Sequence, residues 1–364
     1  MKEFFQEHKL DAILIHTSAN MRHISGFTGE GLVYQSQEDK IILTDSRYTI
    51  AAGKESPSYD ILQYQGNLYE YLLDELIKRH PDIVSKLWKI GFEDQSMTVE
   101  VYRILSALLK KKKLDAWELV PLHRKVDQLR QIKSEQEIAS IKKAESIGDA
   151  AFEKVIQWLK ERRGEKKEVT EKQVAAHIEF FMRDAGAEGT SFDTIAASGI
   201  HSAMPHAVPT DKVLEEGDFL TMDFGCRING YCSDMTRTIV IGKADEKQKE
   251  IYDVVLRAQE AAIQSIQPGM TGKEVDEIAR DIIRQAGYGE CFGHSLGHSV
   301  GLEIHEMPCF SPNEKTVLKP GMVITVEPGI YVEGFGGVRI EDVVVITEEG
   351  CEDITHSTKE RMEI

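Results

Sequence analysis

The chain has 364 residues and carries 44 Lys and Arg against 61 Asp and Glu, a net charge of −17. At roughly 100–200 residues per domain, this length predicts two domains. The acidity excludes a basic nucleic-acid-binding surface, which needs an excess of Lys and Arg.

The charge is unevenly placed. Residues 1–130 hold 18 basic and 19 acidic side chains, so −16 of the −17 lies in residues 131–364. All five cysteines fall in that second part, at 226, 232, 291, 309 and 351, with no Cys-x-x-Cys pair. Their odd number and spacing argue against a disulfide framework or a thiolate zinc site, and predict a reducing compartment. The first residues lack an apolar signal core, and no stretch of ~20 apolar residues occurs. A cytoplasmic protein without membrane or nucleic-acid partners is expected.

Residues 1–125 read as alternating α/β. An N-terminal helix precedes a strand at 10–15, and a second strand covers 40–45. Leu68–Arg79 has apolar residues at helical spacing. A third strand at 87–92 and a helix at 99–109 follow, ending in the solvated run of lysines at 110–113. The pattern changes near Val120-Pro121, and the boundary is expected between Pro121 and Lys133, with a second domain over 133–364. Ser134-Glu135-Gln136-Glu137 fits a capping box that opens a long helix over 134–163.

The second part contains an internal repeat. Val169-Thr170-Glu171-Lys172-Gln173-Val174 matches Met270-Thr271-Gly272-Lys273-Glu274-Val275, 101 residues on. The stretch 214–225 matches 318–329 at an offset of 104, and Gly230, Asp234 and Ile239 match Gly337, Glu341 and Ile346 at 107. Three matches in one order predict a duplicated α+β unit, each half running helix, helix, strand, turn, strand. In both halves a carboxylate occupies the matched position on each strand: Asp223 and Asp234, then Glu327 and Glu341.

In the first hairpin, strands at 219–223 and 231–241 flank Asn229-Gly230, a strong two-residue turn signal. That turn puts Asp223 opposite Thr236 with Asp234 diagonal to it; a register shifted by one residue at the turn puts Asp223 opposite Asp234. Either places both carboxylates on one face, within about 5–8 Å. Strands at 323–327 and 338–346 repeat the arrangement, with Glu327 and Glu341 symmetric about Gly334. Like charges across a sheet repel, and unpaired buried carboxylates are costly. Facing water, or pairing with Arg227, Arg237 and Arg339, would relieve one such group; four at matched positions point instead to one or two bound dications.

Between the hairpins, Gly293-His294-Ser295-Leu296-Gly297-His298 and Ile304-His305 supply three histidines on a stretch whose glycines favour a loop entering a strand. His206, in Met204-Pro205-His206, lies before the matching strand of the first half. Carboxylates with one histidine suit manganese, cobalt or iron better than a structural zinc site. A pair of bridged cations activates water and polarises a substrate oxygen.

The ordered set Asp223, Asp234, His298, Glu327 and Glu341 resembles the dinuclear metal site of the pita-bread peptidases, which include methionine aminopeptidase, aminopeptidase P and prolidase. Met222-Asp223-Phe224-Gly225, Ser233-Asp234-Met235-Thr236-Arg237-Thr238, His294-Ser295-Leu296-Gly297-His298, Thr325-Val326-Glu327-Pro328-Gly329 and Gly337-Val338-Arg339-Ile340-Glu341-Asp342 carry the resemblance over roughly residues 134–364. It implies a creatinase-like N-terminal α/β domain followed by a duplicated α+β pita-bread catalytic domain. It implies two divalent metal ions, manganese first, with cobalt, zinc or iron as alternatives. Asp223 would bind one, His298 and Glu327 the other, and Asp234 and Glu341 both. Glu327 resembles the ligand that also takes and returns a proton. His206, His294 and His305 resemble the histidines that hold substrate and stabilise the tetrahedral intermediate, and Arg339 an arginine that orients the ligands.

Methionine aminopeptidases are similar over the catalytic half only, and creatinase lacks the metal set. Asn20-Met21-Arg22-His23-Ile24-Ser25-Gly26-Phe27-Thr28-Gly29 and Leu43-Thr44-Asp45-Ser46-Arg47-Tyr48-Thr49 resemble aminopeptidase P-type sequences, so the resemblance implies an Xaa-Pro aminopeptidase that acts on small peptides with proline second. An Xaa-Pro dipeptidase is the alternative, and Gly336-Gly337-Val338-Arg339 is equally compatible with it. A metal-free binding module on the same fold would have lost ligand residues that are intact here. The family also implies a homodimer.

Overall fold

A computed structural model describes all 364 residues, in two compact units, Met1–Arg130 and Gln131–Ile364. In the first unit six strands form one sheet in the order Asp60–Gln63, Lys40–Thr44, Gly31–Ser36, Ala12–Ile15, Trp88–Phe92, Trp117–Pro121. The two central contacts of Gly31–Ser36 are antiparallel; the outer pairs are parallel. Side chains alternate across a strand, so Ala12 and Leu14 face one layer, with Leu72, Leu76 and Leu105 of helices Leu68–Arg79 and Val99–Lys111. Ile13 and Ile15 face the other, with Phe4, Phe5, Met21 and Ala52. Helix Leu68–Arg79 starts where Asn67 accepts the Tyr69 and Glu70 N–H groups. Strands Gly31–Ser36, Asp60–Gln63 and Trp117–Pro121 were not anticipated from the sequence pattern.

The second unit is two copies of one arrangement. Helices Glu135–Gly164 and Glu171–Asp184 cover a sheet ordered Met235–Val240, Phe219–Phe224, Ile195–Ser198. Helices Glu246–Ser265 and Gly272–Gln285 cover a sheet ordered Glu306–Phe310, Gly297–Ser299, Val323–Val326, Asp342–Ile346, Cys351–Asp353. The repeated Thr170 and Thr271 are helix caps, each in a capping box with the residue three positions on. Ser134 and Glu137 form a third such box.

The hairpins carry the unit's defining irregularity. The strand expected at 231–241 is two, Tyr231–Cys232 and Met235–Val240, interrupted at Ser233-Asp234. The strand expected at 338–346 is also two, Gly336–Arg339 and Asp342–Ile346, interrupted at Ile340-Glu341. Pairing follows the Asn229-Gly230 turn without slippage, so Asp223 is opposite Thr236. At the second interruption the Glu341 N–H donates to the Thr236 carbonyl at 3.1 Å, which ties the two halves together.

Candidate metal centre

Both interruptions fall on carboxylates. Asp234 and Glu341 are 4% and 1% exposed. The Asp234 N–H, released from the ladder, donates to Glu145 Oε1 at 2.8 Å; Glu145 is itself buried in the long helix and also accepts from Thr355 Oγ1 at 3.1 Å. Glu341 Oε2 accepts from Thr236 Oγ1 at 2.6 Å.

Asp234, His298 and Glu341 present ligand atoms within 4.8 Å of one another. His298 Nε2 lies 3.5 Å from Asp234 Oδ2 and 3.4 Å from Glu327 Oε1. Glu327 is steadied by Thr325 Oγ1 at 3.3 Å, and the same hydroxyl accepts the His298 N–H at 3.0 Å. Asp223 is not among those first three ligand groups; it is held by Arg339, whose Nη2 donates to its Oδ2 at 2.6 Å. Of Arg227, Arg237 and Arg339, only Arg339 pairs with one of the four carboxylates; Arg237 holds Asp342 at 2.6 Å instead.

The histidine tautomers follow from their partners. His298 Nδ1 is 3.2 Å from the Ser299 carbonyl, so it donates there and leaves the Nε2 lone pair facing Asp234 and Glu327. Burial, then the neighbouring His305, pushes His298 down to about 4, so the ring is neutral near pH 7. His294 is likewise pushed down to about 4 by burial. Its Nδ1 donates to the Ser295 carbonyl at 2.8 Å, and its Nε2 accepts from the Tyr331 hydroxyl at 2.9 Å. Tyr331 Oη in turn accepts from Arg339 Nη1 at 2.8 Å. Both nitrogens of His294 are thus used inside the protein, and the ring braces Tyr331. His305 is exposed, with its ring 4.4 Å from that of His298. His206 is exposed on the segment after Ile195–Ser198, close enough for its charge to act on both His294 and His305.

The carboxylates oppose one another's ionisation. Burial raises Asp234 well above the ordinary range, and Glu341, Asp223 and Glu327 add to the rise. Burial, then Glu327 and Asp223, does the same to Glu341. Glu327 is pushed up to about 8 by burial and Asp223, against the pull of Arg339. Two buried oxygens here, Asp223 Oδ1 and Glu341 Oε1, have no hydrogen-bond partner in the protein. Orphaned acceptors, four converging carboxylates and a correctly oriented neutral imidazole fit divalent cations. Tyr331, Thr236, Thr325 and Glu145 were not singled out from sequence; each is an ordinary residue in an apolar strand or helix, and its partner is distant or lies in the bend of the chain.

Residues 139–348 match the model for metallopeptidase family M24, and residues 1–132 match the creatinase/prolidase N-terminal domain. A solved Xaa-Pro dipeptidase from Bacillus anthracis is 42% identical, with a TM-score of 0.90 over 100% of this chain and 98% of that one. A solved X-Pro aminopeptidase from Thermotoga maritima is 38% identical, with a TM-score of 0.87 over 98% of each chain. An Xaa-Pro dipeptidase of Pyrococcus horikoshii is 41% identical over 98% of this chain and 96% of its own length. The duplicated α+β unit is thus the pita-bread fold, preceded by a creatinase-like α/β domain. Since the M24 match spans more than half of the chain and every residue of the cluster just described, and since similarity continues through the N-terminal unit, this chain belongs to the M24 metallopeptidases.

Proposed function

We propose that this metallopeptidase is an Xaa-Pro dipeptidase, hydrolysing the bond before proline in small peptides with proline second. The observation that carries this reading is the full-length identity, at about two residues in five, to proteins named Xaa-Pro dipeptidase. It reverses the order drawn from sequence, where the aminopeptidase stood first. The Thermotoga structure supports the aminopeptidase as the second reading.

Asp223, Asp234, His298, Glu327 and Glu341 would hold two divalent cations, with manganese as the first choice for an oxygen-rich set with one imidazole. When bound, the cations offset the carboxylate charge, acidify water and polarise the scissile carbonyl. The chain's own groups do the rest. Glu327 takes the proton of the attacking water and returns it to the proline nitrogen. Arg339 holds Asp223 in place and is itself fixed by Tyr331 and, through its Nε at 3.0 Å, by Thr236. His305 and His206, exposed beside the cluster, contact the substrate carbonyl and carboxylate. His294 reaches substrate only by releasing one of its two partners, and otherwise acts through Tyr331. The protein works as a homodimer in the cytoplasm.

A peptide-length series assayed with Mn(II) and with Co(II) tests the substrate. Xaa-Pro is expected to be cleaved at least about tenfold faster than Xaa-Pro-Yaa, because a site built to pair with the free proline carboxylate leaves its own polar groups unpaired against the longer peptide. Cleavage confined to the longer peptides would overturn the dipeptidase reading in favour of the aminopeptidase.

A further inference from the structure

Segment 198–210 carries His206 and has one short 3₁₀ turn, Gly199–Ala203, as its only regular structure beyond the strand end. Both of its ends are tied to one side chain. Glu171, fully buried at the start of helix Glu171–Asp184, accepts the Ser198 N–H at 2.7 Å and the Ser198 hydroxyl at 2.8 Å. It accepts the Thr210 N–H at 3.0 Å and the Thr210 hydroxyl at 2.6 Å. His201 Nδ1 adds a contact at 3.0 Å. Burial would push this carboxyl up; hydrogen bonds from Thr210 and Ser198 outweigh it and hold Glu171 below the ordinary range. Between the two ties, Ser202 Oγ accepts the Gly337 N–H at 2.9 Å, so the turn rests on the strand that carries Arg339. His206 lies between this middle contact and the second tie.

The other half of the repeat solves the same problem without this carboxylate. The residue matched to Glu171 is Gly272, where an added Cβ would overlap the Cys309 carbonyl oxygen. There the loop is tied from within by Glu314, which accepts the Thr316 N–H at 2.8 Å and the Cys309 N–H at 3.4 Å. A helix-borne carboxylate is therefore no requirement of the duplicated fold. It belongs to the half that presents His206.

We propose that Glu171 is a positioning residue for substrate recognition: by binding both ends of segment 198–210 it sets where His206 stands. The proposal rests on the reading of His206 as a substrate-contacting residue. Its test is a double-mutant cycle on Glu171→Ala and His206→Ala, assayed on an Xaa-Pro dipeptide, with a Mn(II) titration and amide hydrogen exchange on each variant. Glu171→Ala is expected to lower kcat/KM by about ten- to a hundredfold, the upper end being what a misplacement of roughly 1 Å costs. Amide protection should fall within 198–210 while Mn(II) affinity stays unchanged. The double variant should be no slower than His206→Ala alone. Glu171→Gln, with one acceptor oxygen in place of two, should fall between wild type and Glu171→Ala, and it carries the same cycle if Glu171→Ala fails to fold. Losses that multiply in the double variant, or Mn(II) affinity that falls with activity, would overturn the proposal. A His206→Ala variant with unchanged kcat/KM would instead overturn the reading of His206 on which it rests, whereas a failed cycle with an impaired His206→Ala overturns the role of Glu171 alone.

Discussion

Asp234, Glu327 and Glu341 are each raised above the usual carboxylate range by burial and by one another. A group whose value is higher in the folded than in the unfolded state stabilises the fold below its unfolded value, and that contribution is lost as pH rises through the folded one. For Glu327 the window runs from about 4.5 to about 8. Metal-free protein should therefore lose stability between pH 6.5 and 8, at about 1.4 kcal/mol per pH unit for each proton released. Saturating Mn(II) should remove the slope, because bound cations take over the compensation that protons provide. Urea midpoints measured across this range, with chelator and with Mn(II), check it; a metal-free midpoint independent of pH would contradict the mutual repulsion described here. At this scale the carboxylates are legible in sequence because the repeat marks them and because their neighbours are apolar. Their braces are not. Tyr331 is bracketed by His294 and Arg339, 37 residues before it and 8 after it, and nothing in its local pattern separates it from a core tyrosine.

The elements show what a sequence pattern can and cannot reveal. The turn at Asn229-Gly230, the cap at Ser134 and helix Leu68–Arg79 all stand where residue types predict them, while the caps at Thr170 and Thr271 were visible only as matched positions of the repeat. The interruptions at Asp234 and Glu341 were missed because apolar residues continue on both sides and the pattern reads through them. What breaks each strand is a partner from elsewhere: Glu145 takes the Asp234 N–H, and Thr236 takes that of Glu341. The interruption turns each carboxylate out of the ladder and toward its counterpart in the other half. Gly225 makes the first one possible, since an added Cβ would overlap the Ser233 carbonyl oxygen across the hairpin. Gly225→Ala is expected to force the two segments apart next to Asp234. It should weaken Mn(II) binding by tenfold or more and cost about 1–3 kcal/mol, the usual range for overpacking. Calorimetric Mn(II) titration and urea denaturation measure the two effects; unchanged metal affinity would show that Asp234 does not depend on this close approach.

Across the whole catalytic unit, contacts distant in sequence hold the site together. Arg237 is 1% exposed and spans the two halves: it donates to the carbonyls of Thr236 and Glu341, to Asp342, and to the carbonyls of Ser357 and Thr358. Gln259 and Lys359 complete the shell around Asp342. Removing one member of a buried, hydrogen-bonded ion pair commonly costs about 3–5 kcal/mol, so Arg237→Ala is expected to destabilise the catalytic unit by that amount. Urea denaturation of the metal-free protein reads it directly, and a loss below 1 kcal/mol would mean that Gln259 and Lys359 suffice. In the first unit the six strands and flanking helices follow from side-chain alternation; two of the strands missed there, Asp60–Gln63 and Trp117–Pro121, lie at the sheet edges, while the third, Gly31–Ser36, is interior and is buried along nearly its whole length, so it shows no polar-apolar alternation.

The internal repeat carries an approximate symmetry into the site. Two identical copies of one half, related by a twofold axis, would place four matched carboxylates around that axis, an isologous arrangement of the kind most homodimers adopt. The present chain departs from that symmetry at one point in particular. Ser198 pairs with Leu220 and Ser299 with Ile324, which are equivalent positions of the repeat. His298 therefore corresponds to Ala197. Where the second half carries an imidazole the matched position of the first carries a methyl group, so the two halves of the repeat offer chemically different side chains at equivalent places.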